Sequence, residues 1–187
     1  VVQCYVNQNY YEELPCPSLI LKNEIKNLIN ESISINSSYA SKIEPPSRLG
    51  GLPNQIGNKT ECGLLGFVQY LGDDYLSIRD KNPTNHFVHI YTFNLDGKCM
   101  TTVINHPDMP NAYRMFCKGA SEIVLSKCKY MIVDDEDNND LVNLNKNDHA
   151  FINEKVIEPM ASNSLRTICL SYKDFVPEFA KKRKNKN

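Results

Sequence analysis

Hydrophobic positions in the first third of the chain recur every three or four residues, which predicts amphipathic helices. One helix is expected to begin at Ser18, its N-cap, with a single apolar stripe: Leu21, Ile25, Leu28, Ile29 and Ile33. A second is expected to begin at Thr60, with Glu61 in its first turn, where a negative charge suits the helix dipole. Its predicted core face is Leu64, Leu65, Val68 and Leu71.

The middle of the chain instead contains β-rich runs. Three of them are predicted strands: His86–Phe93, Cys99–Asn105 and Tyr113–Lys118. The first two are joined by Asn-Leu-Asp-Gly, a hairpin signal, and the next two by a short Pro-containing loop, so we expect an antiparallel sheet. Further strands are predicted near both ends of the chain, Val1–Val6 and the buried strand Leu165–Tyr172.

The rest of the pattern completes a mixed fold. A short helix is predicted at Glu122–Lys127 and a longer one at about Asn147–Ser162, which Pro159 should kink or end because it lacks a backbone donor. The segments 43–53 and 134–140 are interpreted as surface loops, the second of them acidic and Asn-rich. The fold class is therefore α/β (α+β), with helices flanking an antiparallel sheet.

Composition narrows the possible classes of protein. With 187 residues, 41% hydrophobic and 23% charged, the chain resembles an ordinary soluble domain, and no apolar run approaches a membrane span. Five of the 21 basic residues fall within 181–187. We therefore interpret 1–177 as one domain and 178–187 as a basic, disordered tail or linker. The remaining chain is mildly acidic, which argues against nucleic-acid binding. The seven cysteines include no C-x-x-C pair, which indicates free thiols in a reducing compartment.

The common phosphate-loop, dinucleotide and nucleophile-elbow motifs are absent from the sequence. His86 and His89 would face opposite sides of a strand, which disfavours a metal site. The run that starts at Lys118 places a lysine at a strand end, followed by a glycine expected to let a flat ligand approach the backbone. Taken singly, each candidate is more often a core or surface residue. As a set, they supply an aromatic face for a base and cations for phosphates: Phe93, Lys98, Lys118 and Arg166.

Four ordered segments also match a known family. They are 57–68 (GNKTECGLLGFV), 91–94 (YTFN), 116–125 (FCKGASEIVL) and 156–170 (VIEPMASNSLRTICL). They resemble the nucleotide-binding domain of P-type ATPases and are most similar to plasma-membrane calcium pumps. Residues 1–6 and 50–53 resemble that subfamily too, so the similarity extends over about 1–177.

The resemblance implies a role for each matching position. Phe93 would stack on adenine, and Glu61 would accept a hydrogen bond from the adenine amino group or tie down nearby side chains. Lys118 would line the adenine pocket, whose floor would be formed by the two residues that follow it, Gly119 and Ala120. The remaining three roles concern the rest of the nucleotide: phosphate contacts by Lys98 and Arg166, and ribose packing by Ile168.

Two departures from the family pattern weaken the expected site. The usual F-N-S-x-R-K-S-M reads Phe-Asn-Leu-Asp-Gly-Lys-Cys-Met here, so an arginine is replaced by Gly97 and a hydroxyl by the thiol of Cys99. The Asp-Lys-Thr-Gly-Thr motif that carries the phosphorylated aspartate does not occur. The resemblance therefore implies binding of ATP, with its Mg²⁺, but no turnover, no catalytic residue and no metal ligand in this sequence.

The expected partners follow from the same resemblance. They are ATP, the phosphorylation and actuator domains of a full-length pump, and an autoinhibitory calmodulin-binding segment. The chain itself would be monomeric and would lie on the cytosolic face of a membrane protein, at the plasma membrane. Two alternatives stay open: a regulatory docking module with a degenerate nucleotide site, and the same domain from a pump of different ion specificity.

Overall fold

A four-stranded antiparallel sheet forms the centre of the computed structural model, which describes residues 1–14, 16, 21–94, 97–134 and 139–177. Its strands are β5 (His89–Tyr91), β6 (Cys99–Asn105), β7 (Tyr113–Ala120) and β10 (Ile168–Phe175), in the order β10–β7–β6–β5. Every neighbouring pair is antiparallel, as the hairpin signals predicted. The register places Gly119 opposite Cys99 on one side and opposite Cys169 on the other.

Helices cover both faces of this sheet. One face packs against α1 (Asn23–Ile35) and α2 (Lys59–Tyr70): Phe116 contacts Ile35, and Leu170 packs on the cluster that contains Leu65. The other face meets α4 (Ser121–Leu125) and the segment that follows it. Because side chains alternate along a strand, neighbouring residues of β7 serve opposite layers. The predicted class, helices flanking an antiparallel sheet, is confirmed.

Both N-terminal helices are present with the predicted core stripes. All four residues of the α2 core face are buried: Leu64, Leu65, Val68 and Leu71. The predicted N-cap is wrong, however. The Asn58 carboxamide oxygen accepts from the backbone N–H groups of Thr60 and Glu61 at 2.9 and 3.2 Å, so the cap lies two residues before Thr60. The other predicted cap is wrong too, because α1 begins at Asn23 with Lys22 at its N-cap position; Ser18 itself lies outside the described residues.

Several small elements were not predicted. The segment 43–53, interpreted as a loop, is for the most part the connection of an unpredicted hairpin between β3 (Lys42–Glu44) and β4 (Asn54–Ile56), and α3 (Tyr75–Lys81) follows α2. A second hairpin pairs β8 (Tyr130–Asp134) with β9 (Asn139–Asn143), on either side of positions 135–138, which are not described. β3 and β4, with three residues each, are too short for period-two alternation to reveal them, and β8 begins with a continuous apolar run instead of an alternating one.

The predicted strands near the ends and before the sheet were too long. The first shortens to β1 (Cys4–Val6), which pairs with β2 (Asn9–Tyr11). His86 lies in a 3₁₀ turn, Thr84–His86, before β5, so the argument that two histidines face opposite sides of one strand does not apply. The last strand begins at Ile168 and is half-buried, not buried, because it lies at the sheet edge.

Pro159 does not end the long helix. The helix runs as α5 (Lys146–Ile152), a π-helical turn (Asn153–Ile157) and α6 (Glu158–Ser162). A wider turn directly before a proline relieves the clash of its ring with the preceding carbonyls, so the chain stays helical.

No helix in the described part of the chain has both the length and the apolar character needed to cross a bilayer. The division into 1–177 and a basic tail at 178–187 stays a prediction, since the tail is not described.

The sheet core provides a stability test. Phe116 is fully buried beside Ile35 and Ile104, so Phe116→Ala should lower the free energy of unfolding by about 3–5 kcal/mol through lost burial and a residual cavity. Phe93→Ala is the matched control, because this side chain is 59% exposed and should change stability by about 0.5 kcal/mol or less. Urea denaturation measures both; similar losses in the two variants would contradict this assignment of the core.

Candidate functional site

A buried ion pair joins the central sheet to α2. Lys118, on β7, is 9% exposed, and its Nζ donates to Glu61 Oε1 at 2.8 Å and to Ser37 Oγ at 2.9 Å. Glu61, in the first turn of α2, is 8% exposed. The sequence analysis selected both residues, and the structure brings them into direct contact.

The carboxylate of Glu61 is fully engaged by the protein. Its Oε2 accepts from Ser41 Oγ at 2.6 Å, and the backbone N–H of Ser38 lies 3.2 Å from both carboxylate oxygens. These are the contacts of a carboxylate that ties down neighbouring groups, the second of the two roles implied by the resemblance. An adenine amino group would have to compete with donors that are already in place.

Burial and ion pairing shift the pKa values of Glu61 and Lys118 in opposite directions. Burial alone would raise the pKa of Glu61, but hydrogen bonds from Lys118 and Ser41 outweigh it, and the pKa is lowered. Burial lowers the pKa of Lys118, and the bond to Glu61 offsets this only in part. Since Glu61 stays ionised, the ammonium of Lys118 is neutralised within the fold and offers little net charge to a ligand.

A third buried charge, Arg79 of α3, was missed by the sequence analysis. It is 5% exposed and donates to the backbone carbonyls of Ser34, Ser38 and Ser41 at 3.1, 3.1 and 2.8 Å. Its guanidinium also lies over two rings, Tyr39 at 4.6 Å and Tyr75 at 5.1 Å. Arg79 therefore fixes the segment whose serines contact the ion pair. Nothing local in the sequence separates it from a solvated helix arginine.

Gly119, the residue after Lys118, does not have the role expected from the sequence. Gly119 lies inside β7, not at a bend, and a Cβ there would overlap the Lys98 carbonyl oxygen and come within 2.7 Å of the Cys99 Cβ. That carbonyl accepts from the Ala120 N–H at 3.0 Å. The missing side chain thus admits the adjacent backbone instead of a flat ligand. Lys98 itself, at φ 45°, closes the turn before β6, and its side chain is exposed.

Arg166 and Ile168 lie at the beginning of β10: Arg166 precedes the strand, and Ile168 is its first residue. Arg166 is two residues before the strand, not at its first position, and its Nη1 donates to Thr60 Oγ1 at 2.9 Å, beside the N-terminus of α2. Its guanidinium is exposed. Ile168 pairs with Ala120 and packs on the core cluster that contains Leu65.

Phe93 completes the set. It is 59% exposed and follows β5 by two residues, and the next carbonyl, that of Asn94, accepts from the Lys98 N–H at 3.0 Å. Strand pairing places the other residues at this same end of the sheet: Lys98, Gly119, Ala120 and Ile168. The connection to Lys98 runs through the backbone of Asn94, the residue after Phe93. A cleft of about 380 Å³ lies elsewhere, beside Phe87 and Ile104, and none of the predicted residues lines it.

Comparison with known proteins identifies this arrangement. Residues 24–187 match the family described as "P-type ATPase, cytoplasmic domain N", and the chain belongs to that family. The resemblance inferred from four sequence segments is thereby confirmed.

Among the relatives of this chain are several plasma membrane calcium-transporting ATPases. The chain is 45% identical over 175 residues to plasma membrane calcium-transporting ATPase 3 of Rattus norvegicus, covering 94% of this chain and 13% of the relative. It is 45% identical to ATPase 4 of Homo sapiens, with 94% and 14% covered. For ATPase 2 of Oreochromis mossambicus the identity is 48%, with 93% and 15% covered. The chain thus spans about one seventh of their length and is homologous to their cytoplasmic N domain.

The ion pair predicts a pH-dependent loss of stability. Because the folded-state pKa of Glu61 lies below its ordinary value, the pair stabilises the fold above that value, and the contribution disappears as pH falls through the folded pKa. Glu61→Gln should therefore lower the free energy of unfolding at pH 7 by about 3–5 kcal/mol, since it leaves the Lys118 ammonium buried without its partner. Urea denaturation from pH 7 to pH 3 should show this deficit shrinking as the wild-type carboxylate protonates.

A double substitution is the control. Glu61→Gln with Lys118→Met removes both charges and should recover much of the stability that either single change loses. If the double variant lost the sum of the two single effects, or if the Glu61→Gln deficit were constant with pH, the two side chains would not act as a pair.

Proposed function

We propose that the chain binds ATP at the sheet end where Phe93 projects, as the nucleotide-binding domain of a calcium-transporting P-type ATPase. The observation that supports this most is the exposure of Phe93: a large aromatic ring open to solvent at the end of the sheet where two exposed cations also lie, Lys98 before β6 and Arg166 before β10. An exposed ring gives a base a stacking surface, worth about 1–3 kcal/mol.

The phosphates are assigned to the exposed cations. Lys118 is neutralised by Glu61 and lies behind the strand, so its role is to hold the pocket wall in place rather than to contact phosphate. Arg166 has one weak competitor, the hydroxyl of Thr60, and its planar guanidinium can bind two phosphate oxygens at once. Lys98, on the exposed turn before β6, supplies the second charge. Gly97 supplies none at the position where the family pattern has arginine.

These contacts predict weak binding. One stack of about 1–3 kcal/mol and two or three charge-assisted hydrogen bonds of about 1.5–3 kcal/mol each, in exposed positions, oppose an association cost of at least about 4 kcal/mol. The resulting Kd lies at roughly 0.1–5 mM. Weak binding suits a domain that must release its product in every cycle.

In the complete pump, this domain would present the γ-phosphate of Mg²⁺-bound ATP to an aspartate of a phosphorylation domain, whose motif this sequence does not contain. The expected partners are the phosphorylation and actuator domains and an autoinhibitory calmodulin-binding segment. The expected location is the cytosolic face of the plasma membrane, since the relatives of this chain are plasma membrane ATPases.

Phe93→Ala tests the base-stacking role. Titration of the 187-residue chain with ATP, followed by amide NMR shifts, should show saturable changes around Phe93 and Arg166, and Phe93→Ala should raise the Kd about 5- to 150-fold. Tyr91→Ala is the matched control, because Tyr91 is 58% exposed and lies two residues earlier in the chain. Its Kd should stay within about twofold of wild type, since its ring contacts His89.

Arg166→Ala separates phosphate from base recognition. It should weaken binding of ATP about tenfold, the loss of one charge-assisted contact, and leave adenosine binding unchanged, whereas Phe93→Ala should weaken both. Equal losses of ATP and adenosine binding in Arg166→Ala would contradict the phosphate assignment. Absence of any shift at about 10 mM ATP, above the expected Kd, would reject the nucleotide site and favour a docking module.

A further inference from the structure

A histidine side chain closes the turn between β6 and β7, at the end of the sheet opposite Phe93. His106 follows the last residue of β6, and its side chain is 5% exposed. Its Nδ1 accepts from the backbone N–H groups of Asp108 and Met109, both at 3.1 Å. Its own backbone N–H donates to the carbonyl of Ala112, directly before β7, at 2.9 Å. The imidazole therefore takes the place that an asparagine or aspartate oxygen commonly has in a turn.

The other nitrogen of the ring binds the end of β10. Nε2 of His106 lies 3.1 Å from Asp174 Oδ2, and Arg114 of β7 donates to the same carboxylate through Nε and Nη2, both at 2.8 Å. Burial alone would raise the pKa of Asp174, but the bonds from Arg114 and His106 outweigh it, and the pKa is lowered. The carboxylate is thus ionised and accepts from both side chains. The imidazole connects the end of β6 to the end of β10, with β7 between them.

These contacts determine where the proton of the neutral ring lies. Two N–H donors point at Nδ1 of His106, so this nitrogen carries no hydrogen. The single ring proton is on Nε2, where Asp174 accepts it. A second proton can only go to Nδ1. The ring would then point an N–H at two other N–H groups, and the turn could keep neither of those bonds.

We propose that His106 is a proton-operated latch, which holds the β6–β7 turn closed when the ring is neutral and releases residues 107–111 when Nδ1 is protonated. The proton turns an acceptor into a donor, so the bonds from Asp108 and Met109 are lost. The Nε2–H bond to Asp174 is kept and becomes charge-assisted, so the released turn stays attached to β10 at one point. Imidazole is the side chain suited to this task, because its charge changes within the range of cellular pH.

Four charged groups face the latch. The Asp174 carboxylate on β10 attracts a protonated ring, whereas the Arg114 guanidinium on β7, with Nη2 3.3 Å from His106 Nε2, repels it. Glu31 of α1 lies 3.9 Å from Arg114 Nη1. Burial raises the pKa of Glu31; the charge of Arg114 opposes this rise, and that of Asp108, within the turn, adds to it. Glu31 and Asp108 also take up protons in acid, so the experiment has to separate them from the ring.

The proposal does not rest on ATP binding. Phe93 lies at the opposite end of the sheet, and each contact of the latch joins residues of the described protein.

The test follows the 187-residue chain by NMR from pH 8 to pH 5. Long-range correlation of the imidazole nitrogens should place the proton on Nε2 at pH 8. As the ring takes up its second proton, the amide signals of Asp108 and Met109 should shift with the same midpoint as the ring nitrogens. Their hydrogen exchange, corrected for its intrinsic pH dependence, should become about tenfold faster, because two hydrogen bonds are lost.

His106→Asn is the decisive variant. An asparagine Oδ1 can accept from the same two N–H groups but gains no proton in this range, so the amides of Asp108 and Met109 should stay protected down to pH 5. Glu31→Gln removes the neighbouring carboxylate and should keep the wild-type response. His149→Gln is the matched control, since this histidine lies in α5, in another part of the fold, and its loss should change nothing at the turn.

Two results in the wild-type protein would overturn the proposal without any variant: a neutral ring with its proton on Nδ1, or amides of Asp108 and Met109 that are unchanged from pH 8 to pH 5, whether or not the ring is protonated. A third would be the same pH response in a folded His106→Asn variant, which would assign the response to Glu31 and Asp108. The dispersion of the amide signals shows whether each variant is folded.

Discussion

The interaction on which the rest of this structure depends is the buried pair of Glu61 and Lys118. It is the point where the sheet, the N-terminus of α2 and the serine-rich segment after α1 meet, and every polar atom of the pair is bonded within the protein. A buried charge that lost its partner would cost several kcal/mol, so the three elements are held in one arrangement. Arg79 extends the same constraint by binding the carbonyls of that segment from α3.

This internal neutralisation also determines which cations are available to a ligand. A lysine next to a glycine at a strand end suggests a phosphate contact, and the structure places its ammonium against a carboxylate instead. The accessible charge belongs to Lys98 and Arg166, and the accessible aromatic surface to Phe93. The proposed nucleotide site is therefore an open surface at the end of the sheet, supported from beneath by the ion pair.

Each central strand packs against two layers because side chains alternate across the sheet. On β7, Lys118 faces α2 while Cys117 faces the opposite side of the sheet, and Gly119 lets the backbone of β6 approach closely. On β10, Ile168 packs on the core cluster that contains Leu65, and Cys169 faces the opposite side of the sheet. A substitution on one face of these strands is therefore separated from the other face by a single layer of backbone.

The sequence by itself determined the class of fold, the core stripe of α2, the antiparallel sheet and the family, because these depend on local periodicity and on contiguous motifs. It selected Glu61 and Lys118 but could not show that they neutralise each other, since a 57-residue separation becomes a 2.8 Å contact only through packing. Arg79 left no local signal, because the carbonyls that it binds lie far away along the chain, and β3 and β4 left none because each has only three residues. Tertiary structure alone decided which charges are satisfied inside the fold and which remain for a ligand, because desolvation and partner geometry exist only once the chain is folded.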